Sequence, residues 1–172
     1  KYTFPYVKNL HNMVERNLTI PHKFICFTDN TVIHRRKEFK TTNIEFRQFK
    51  RHDFQGWFNK LQLFSPDSGL EGDTLYMDLD VVITENIDCF FTYKPEADFV
   101  GMNDFNPTSG TFNSSIMKFN NTTTTKLIWD AYMKNRSEYK KLPGDQNIIS
   151  ALKKKHKDFA ISLYNCFNVC GW

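Results

Sequence analysis

Long apolar runs are absent from this chain. No stretch approaches the ~20 residues that a bilayer-spanning helix needs, so the residues given contain no candidate for one. The amino terminus also lacks a charged segment followed by an apolar one and a small-residue cleavage site, and the expectation is a cytoplasmic protein. Glycine and proline are scarce, at 7 and 6 residues, and only the Asn-Thr run 120–125 is of low complexity, which argues against fibrous repeats and disorder. Cysteine is limited to Cys26, Cys89, Cys166 and Cys170, with no Cys-x-x-Cys pair and no histidine pattern of zinc-binding form. Cys26 lies in a strand-like run and reads as a small buried hydrophobe. Cys166 and Cys170 are spaced to bridge in an oxidising compartment, but reduced thiols are the expectation. His11, His22, His34, His52 and His156 show no ligand spacing and are read as structural. Charge of one sign is lacking too: the net value is only +4, which excludes the broad basic surface that nucleic acid demands.

Two short basic clusters do occur, His34-Arg35-Arg36-Lys37 and Lys153-Lys154-Lys155-His156-Lys157. Each reads as a solvated loop or helix end, where cations suit the end of a helix dipole. For the second, peripheral contact with an anionic membrane surface or a phosphorylated acceptor is the functional alternative. Five Asn-x-Ser/Thr sequons, beginning at Asn17, Asn113, Asn120, Asn121 and Asn135, reflect the abundance of Asn and Thr and are read as accidental.

What the chain has is apolar volume: 40% hydrophobic residues, with 17 Phe among them. Its 172 residues suit one domain with a single core. Val7, Leu10, Val14 and Leu18 recur at helical spacing, predicting an amphipathic helix over 5–17 with Pro5 in its first turn. Strands are expected at 24–27 and 44–47, and a helix at 57–64 with Trp57, Leu61 and Phe64 on its buried stripe. Further strands are expected at 98–101, 112–119 and 159–163, and helices at 127–133 and 145–155. Alternation of this kind predicts a three-layer α/β/α sandwich on a mixed, mostly parallel sheet. Ligands of such sheets collect at the carboxyl ends of the strands, where Asp29 and the pair Asp78/Asp80 fall.

The most informative stretch is Leu75-Tyr76-Met77-Asp78-Leu79-Asp80-Val81-Val82-Ile83. It reads as one buried central strand interrupted by two acids. Alternation would place Asp78 and Asp80 side by side with Leu79 pointing into the core. Turn acids sit among Gly, Asn, Pro and Ser, whereas these sit among aliphatics, so a cation site is the better reading. Hard divalent ions such as Mn²⁺ or Mg²⁺ accept one or two carboxylates and leave positions open for water and substrate phosphate.

Trp57-Phe58-Asn59-Lys60-Leu61, Leu75 to Asp80, Phe112-Asn113-Ser114-Ser115 and Gly144-Asp145-Gln146-Asn147 follow one another in an order that resembles nucleotide-sugar glycosyltransferases of the GT-A fold, especially glycogenin-like and related bacterial transferases. The likeness spans residues 5–165. It implies a metal-dependent transfer of a sugar from a nucleoside diphosphate, UDP favoured and GDP the alternative, to a hydroxyl of a glycan, lipid or protein. It implies that Asp78 and Asp80 form the DxD motif and ligate Mn²⁺ (or Mg²⁺), and that Lys60 lies near the diphosphate or ribose. Asp29 would approach the nucleoside, Asn113 and Ser114 would line the sugar, and Asp145 and Gln146 would stand beside the reacting carbon. It further implies that the chain begins after the family's first strand and ends before its usual third ligand, a histidine.

Several of these residues have plainer readings. Lys60 would equally suit a solvated helix face, Asn113 could pair with a neighbouring loop, and Asp145 would make a good N-cap. The chemistry agrees with the resemblance nonetheless, because a departing pyrophosphate develops charge that a divalent cation and Lys60 would stabilise. An inverting reaction would need a base, for which Asp104 or Asp145 would serve; the glycogenin-like likeness points to retention instead. Specificity is expected in the loop 101–111. The rival enzyme is a haloacid-dehalogenase-like phosphatase with Asp78 as nucleophile and Asp80 as acid/base, disfavoured because no second acid stands next to Asp145. A non-catalytic, sugar-nucleotide-binding descendant of the transferase fold is the remaining class.

Overall fold

The computed structural model describes residues 2–29, 43–104, 106, 112–156, 162–164 and 169–170. Its elements in chain order are helix α1 (Phe4–Asn17), strands β1 (Phe24–Thr28) and β2 (Ile44–Gln48), a 3₁₀ helix (Gly56–Phe64) followed by a shorter one (Pro66–Ser68), strands β3 (Thr74–Met77) and β4 (Val82–Ile83), helix α2 (Cys89–Thr92), strands β5 (Phe99–Asn103) and β6 (Phe112–Phe119), helices α3 (Thr123–Lys134), α4 (Arg136–Tyr139) and α5 (Asp145–Lys155), and strands β7 (Ser162–Tyr164) and β8 (Val169–Cys170). The basic cluster 34–37, most of the loop 105–111, residues 159–161 and the Cys166 thiol lie outside the described residues. The chain forms two compact units: Lys1–His52, Leu79–Asp88 and Asn168–Trp172 make one, Asp53–Asp78 and Cys89–Phe167 the other.

In the first unit α1 buries Val7, Leu10 and Val14, the expected stripe, with Pro5 in the first turn. It ends where Leu18 turns extended and its amide donates to the carbonyl of Val14. Strands β1 and β2 pair in parallel, Phe24 opposite Ile44. Val7, Cys26 and Ile44 form the core, with Phe4, Phe24, Phe46 and Leu79 packed against it. Leu79 therefore does reach a core, as its place between two acids predicts. Burial pushes the Cys26 thiol up to about 11. Strand β4 pairs antiparallel with β8.

The second unit holds a four-stranded sheet in the order β3-β6-β5-β7. Here β6 runs antiparallel to both β3 and β5, and β7 parallel to β5. The sheet is mixed, but antiparallel pairs outnumber parallel ones among the described residues, against the expectation of mostly parallel pairing. The segment 104–111 is too short for a crossover helix, so β5 and β6 can meet only as antiparallel neighbours. Phe64, Phe99 and Phe119 pack ring to ring at 5.1–6.3 Å between centroids. Leu61, Ile128, Ile148, Ile149 and Leu152 complete a core closed to solvent. Lys118 is fully buried in β6, its ammonium donating to the carbonyls of Pro95 (3.2 Å) and Ala97 (3.4 Å), which supplies the partners that burial of a charge demands.

Two local expectations fail for physical reasons. Residues 75–83 are not one buried central strand: β3 stops at Met77, is half-buried, and lies at the edge of the described sheet. Its last rung is the Asp78 amide donating to Ser115 O at 2.9 Å. Beyond it the chain turns at Leu79-Asp80, so strict alternation does not govern the two acids. The helix at 56–64 is 3₁₀ rather than α, and its burial follows position along the axis rather than one stripe, with Leu61, Gln62, Leu63 and Phe64 all buried. Leu61 and Phe64 share the buried side, whereas Trp57 is 62% exposed instead of joining their stripe.

Leu61→Ala is expected to cost about 2–5 kcal/mol and Trp57→Ala about 1 kcal/mol or less. Equal costs in urea titrations would mean that Trp57 is packed into the core as Leu61 is. At pH 8 only about one part in a thousand of the Cys26 thiol is ionised, so peptide mapping after a thiol reagent is expected to find Cys26 unlabelled until the protein unfolds.

Candidate functional site

The site in the second unit begins at the end of β3. Tyr76 and Asp78 lie two residues apart, and the Tyr76 hydroxyl donates to Asp78 Oδ1. Strand β6 runs beside them and carries an irregularity at this height. Gly101 of β5 pairs with Met117, yet its successor Met102 pairs with Asn113, so Ser114, Ser115 and Ile116 have no counterpart on β5. A bulge of this kind strips ladder partners from the backbone, and those groups need others. Side chains supply them at Ser114. Its amide donates to Gln146 Oε1 at 3.2 Å, and its carbonyl accepts from Lys60 Nζ at 3.2 Å.

Lys60 projects from the 3₁₀ helix into the centre of this group. Its ammonium stands 3.2 Å from Asp78 Oδ1 and 3.3 Å from Asp145 Oδ2, with the Tyr76 ring 5.0 Å away. The solvated-face reading of Lys60 is thereby overturned: its side chain is only 9% exposed. Two carboxylates share one cation, and one of them, Asp145, is itself buried. Asp145 is the first residue of α5, not its N-cap; that position belongs to Gly144 in extended conformation. Although the ammonium is close, no described residue donates an aligned hydrogen bond to Asp145 Oδ2. The oxygen thus keeps unused acceptor capacity inside a polar cluster.

Lys60, Asp78, Ser114, Asp145 and Gln146 converge, although they come from positions up to 86 residues apart. Asn113 stands next in β6, but its Oδ1 accepts from the Ser115 amide at 2.8 Å, a turn on its own strand rather than a loop contact. Asp104 lies half-buried just past β5. Asp29 and Asp80 belong to the first unit. Asp29 is exposed one residue past β1, and Asp80 Oδ2 accepts from the Tyr2 hydroxyl at 2.7 Å. Tyr76 was the residue that sequence reasoning passed over; its i, i+2 relation to Asp78 was the available signal. Carboxylate oxygens, such as each of Asp78 and Asp80 carries, are hard donors of the kind that Mn²⁺ and Mg²⁺ accept. Among the described residues no three His, Cys, Asp or Glu side chains gather into a metal cage.

The family model for nucleotide-diphospho-sugar transferases matches residues 70–164, more than half of the chain. The chain belongs to this family. Asp78, Asn113, Ser114, Asp145 and Gln146 lie inside the matched segment, and Lys60 is brought to them from outside it. Among solved structures, the glycosyltransferase GlyE of Streptococcus pneumoniae TIGR4 is similar with a TM-score of 0.64 over 94% of this chain, at 19% identity. The likeness is one of fold, a mixed α/β architecture consistent with GT-A. This transferase-family chain spans 43% of the GlyE chain's length. No match is found among curated proteins. No helix among the described residues is long and apolar enough to cross a membrane.

Replacing Lys60 by Met leaves Asp78 and the buried Asp145 without their cation and is expected to cost about 3–5 kcal/mol in urea unfolding at neutral pH. Adding Asp145→Asn should return part of that loss, with non-additivity of about 1 kcal/mol or more. Strict additivity would show that the two residues do not share a charge interaction.

Proposed function

We propose that the chain carries out, within a single transferase domain spanning 1–172, the metal-dependent transfer of a sugar from a nucleoside diphosphate to an acceptor hydroxyl. UDP is the favoured nucleotide, GDP the alternative, and a glycan, lipid or protein the acceptor. The observation that carries this reading is the buried Asp145 Oδ2 in a family-matched segment, which is ion-paired with Lys60 at 3.3 Å but receives no aligned hydrogen bond from any described residue. A polar ligand that brings hydroxyl donors would satisfy it.

In this reading Asp78 and Asp80, the acids of the DxD motif, hold Mn²⁺ or Mg²⁺. When bound, the ion supplies Lewis-acid stabilisation of the departing diphosphate. Lys60 adds a point charge to the same diphosphate, released in part from Asp78 as the donor binds. Ser114 and Asn113 line the sugar at the bulge of β6. Gln146 is held toward them by the Ser114 amide, and Asp145 accepts a sugar hydroxyl, which orients the anomeric carbon. Asp29 approaches the nucleoside. The resemblance favours retention of configuration; for inversion, Asp104 or Asp145 would take the acceptor proton.

Calorimetric titration of the chain with UDP and with GDP, each with and without Mn²⁺, is expected to show binding that requires the metal. Asp80→Asn should abolish that binding while leaving the circular dichroism spectrum unchanged. Binding of either nucleotide by the variant in Mn²⁺ at wild-type affinity would overturn the assignment of the acids.

A further inference from the structure

We propose that the cleft beside Trp57 binds a neutral saccharide and positions it as the acceptor of the transferred sugar. The acceptor role rests on the transferase reading above; the saccharide site does not.

A tryptophan that is 62% exposed leaves a large apolar face in water, and this one is held there. Its Nε1 donates to Pro143 O at 2.9 Å, and a Cβ placed on Gly144 would touch the indole Cδ1 at 3.4 Å. The ring is thus pinned by one edge, an ordered plate rather than a loose side chain. Both of its attachments lead to the charged cluster. Trp57 and Lys60 are three residues apart on a 3₁₀ helix, where i and i+3 eclipse, so they project from one side about 6 Å apart along the axis. Pro143 and Gly144 run directly into Asp145.

The plate borders a cleft of about 410 Å³, within the range of small-molecule sites, lined also by Asp53, Gln55, Phe58, Tyr132 and Lys140. Aromatic faces next to an amide, a carboxylate and an ammonium suit a pyranose, whose C–H face stacks on an indole while its hydroxyls donate and accept at the rim. The lining carries one carboxylate, Asp53, and one ammonium, Lys140, so it has no excess of positive charge with which to select a phosphate-bearing occupant. Asp53 is fixed at this rim by Arg136, whose Nη1 stands 2.5 Å from Asp53 Oδ2 while its guanidinium lies 4.5 Å above the Phe54 ring.

The test is a glycan array of neutral oligosaccharides probed with wild type, Trp57→Ala and Trp57→Phe, alongside calorimetry of the same proteins with UDP and Mn²⁺. The expected result is binding to a subset of glycans, weakened about tenfold or more by Trp57→Ala and less than about threefold by Trp57→Phe, with UDP affinity changed less than about twofold. Failure of the wild type to bind any glycan overturns the proposal. So does a Trp57→Ala variant that loses UDP affinity instead, since the plate would then serve the donor base. Trp57-dependent glycan binding by a chain that binds neither UDP nor GDP would uphold the saccharide site and defeat the transferase reading, which separates the two.

Discussion

The contact of the Lys60 ammonium with two carboxylates is the interaction on which the arrangement of the site depends. Asp145 is buried and Asp78 partly so, and neither is tolerable as an unpaired charge at the end of a sheet. One cation answers both, and in doing so it ties the 3₁₀ helix, the end of β3 and the start of α5 to one point. A buried ion pair is poor evidence of net stabilisation, because desolvation offsets most of its attraction. Its physical consequence here is positional: the three elements cannot shift independently without separating charges in a medium of low dielectric.

The bulge in β6 is the second half of the same arrangement. Regular pairing would have spent the backbone groups of Ser114 on β5. The slip at Gly101/Met102 releases them, and the Gln146 and Lys60 side chains meet them instead. A fault in the ladder thereby becomes a polar wall, while farther along the same two strands Phe99 and Phe119 pack with Phe64 of the 3₁₀ helix.

Much of the fold was legible along the chain. Helix α1 and helix α5 fall where periodicity and the run of basic residues after an acidic start put them, because each presents one apolar stripe and a charged remainder. The segment at 75–83 was misread for an equally physical reason. Aliphatic composition signals burial but not continuity, and the strand breaks because the chain turns at Leu79-Asp80 although β6 runs on to Phe112. Trp57 was misplaced because burial in this helix is confined to its second half, Leu61 to Phe64, and a periodic stripe does not encode where along its axis a helix meets the core.

By itself the sequence determined the chemical inventory: which carboxylates, which lysine and which amide are available. It also determined the local periodicities, since these depend only on near neighbours. What only the tertiary structure decided is which of those groups meet. Lys60 reaches Asp145 across 85 positions, and Gln146 reaches Ser114 across 32, through a strand register and a bulge that no local pattern encodes. Burial then converts those meetings into chemistry, because an ammonium and a carboxylate that would ignore each other in water cannot do so once the solvent is gone.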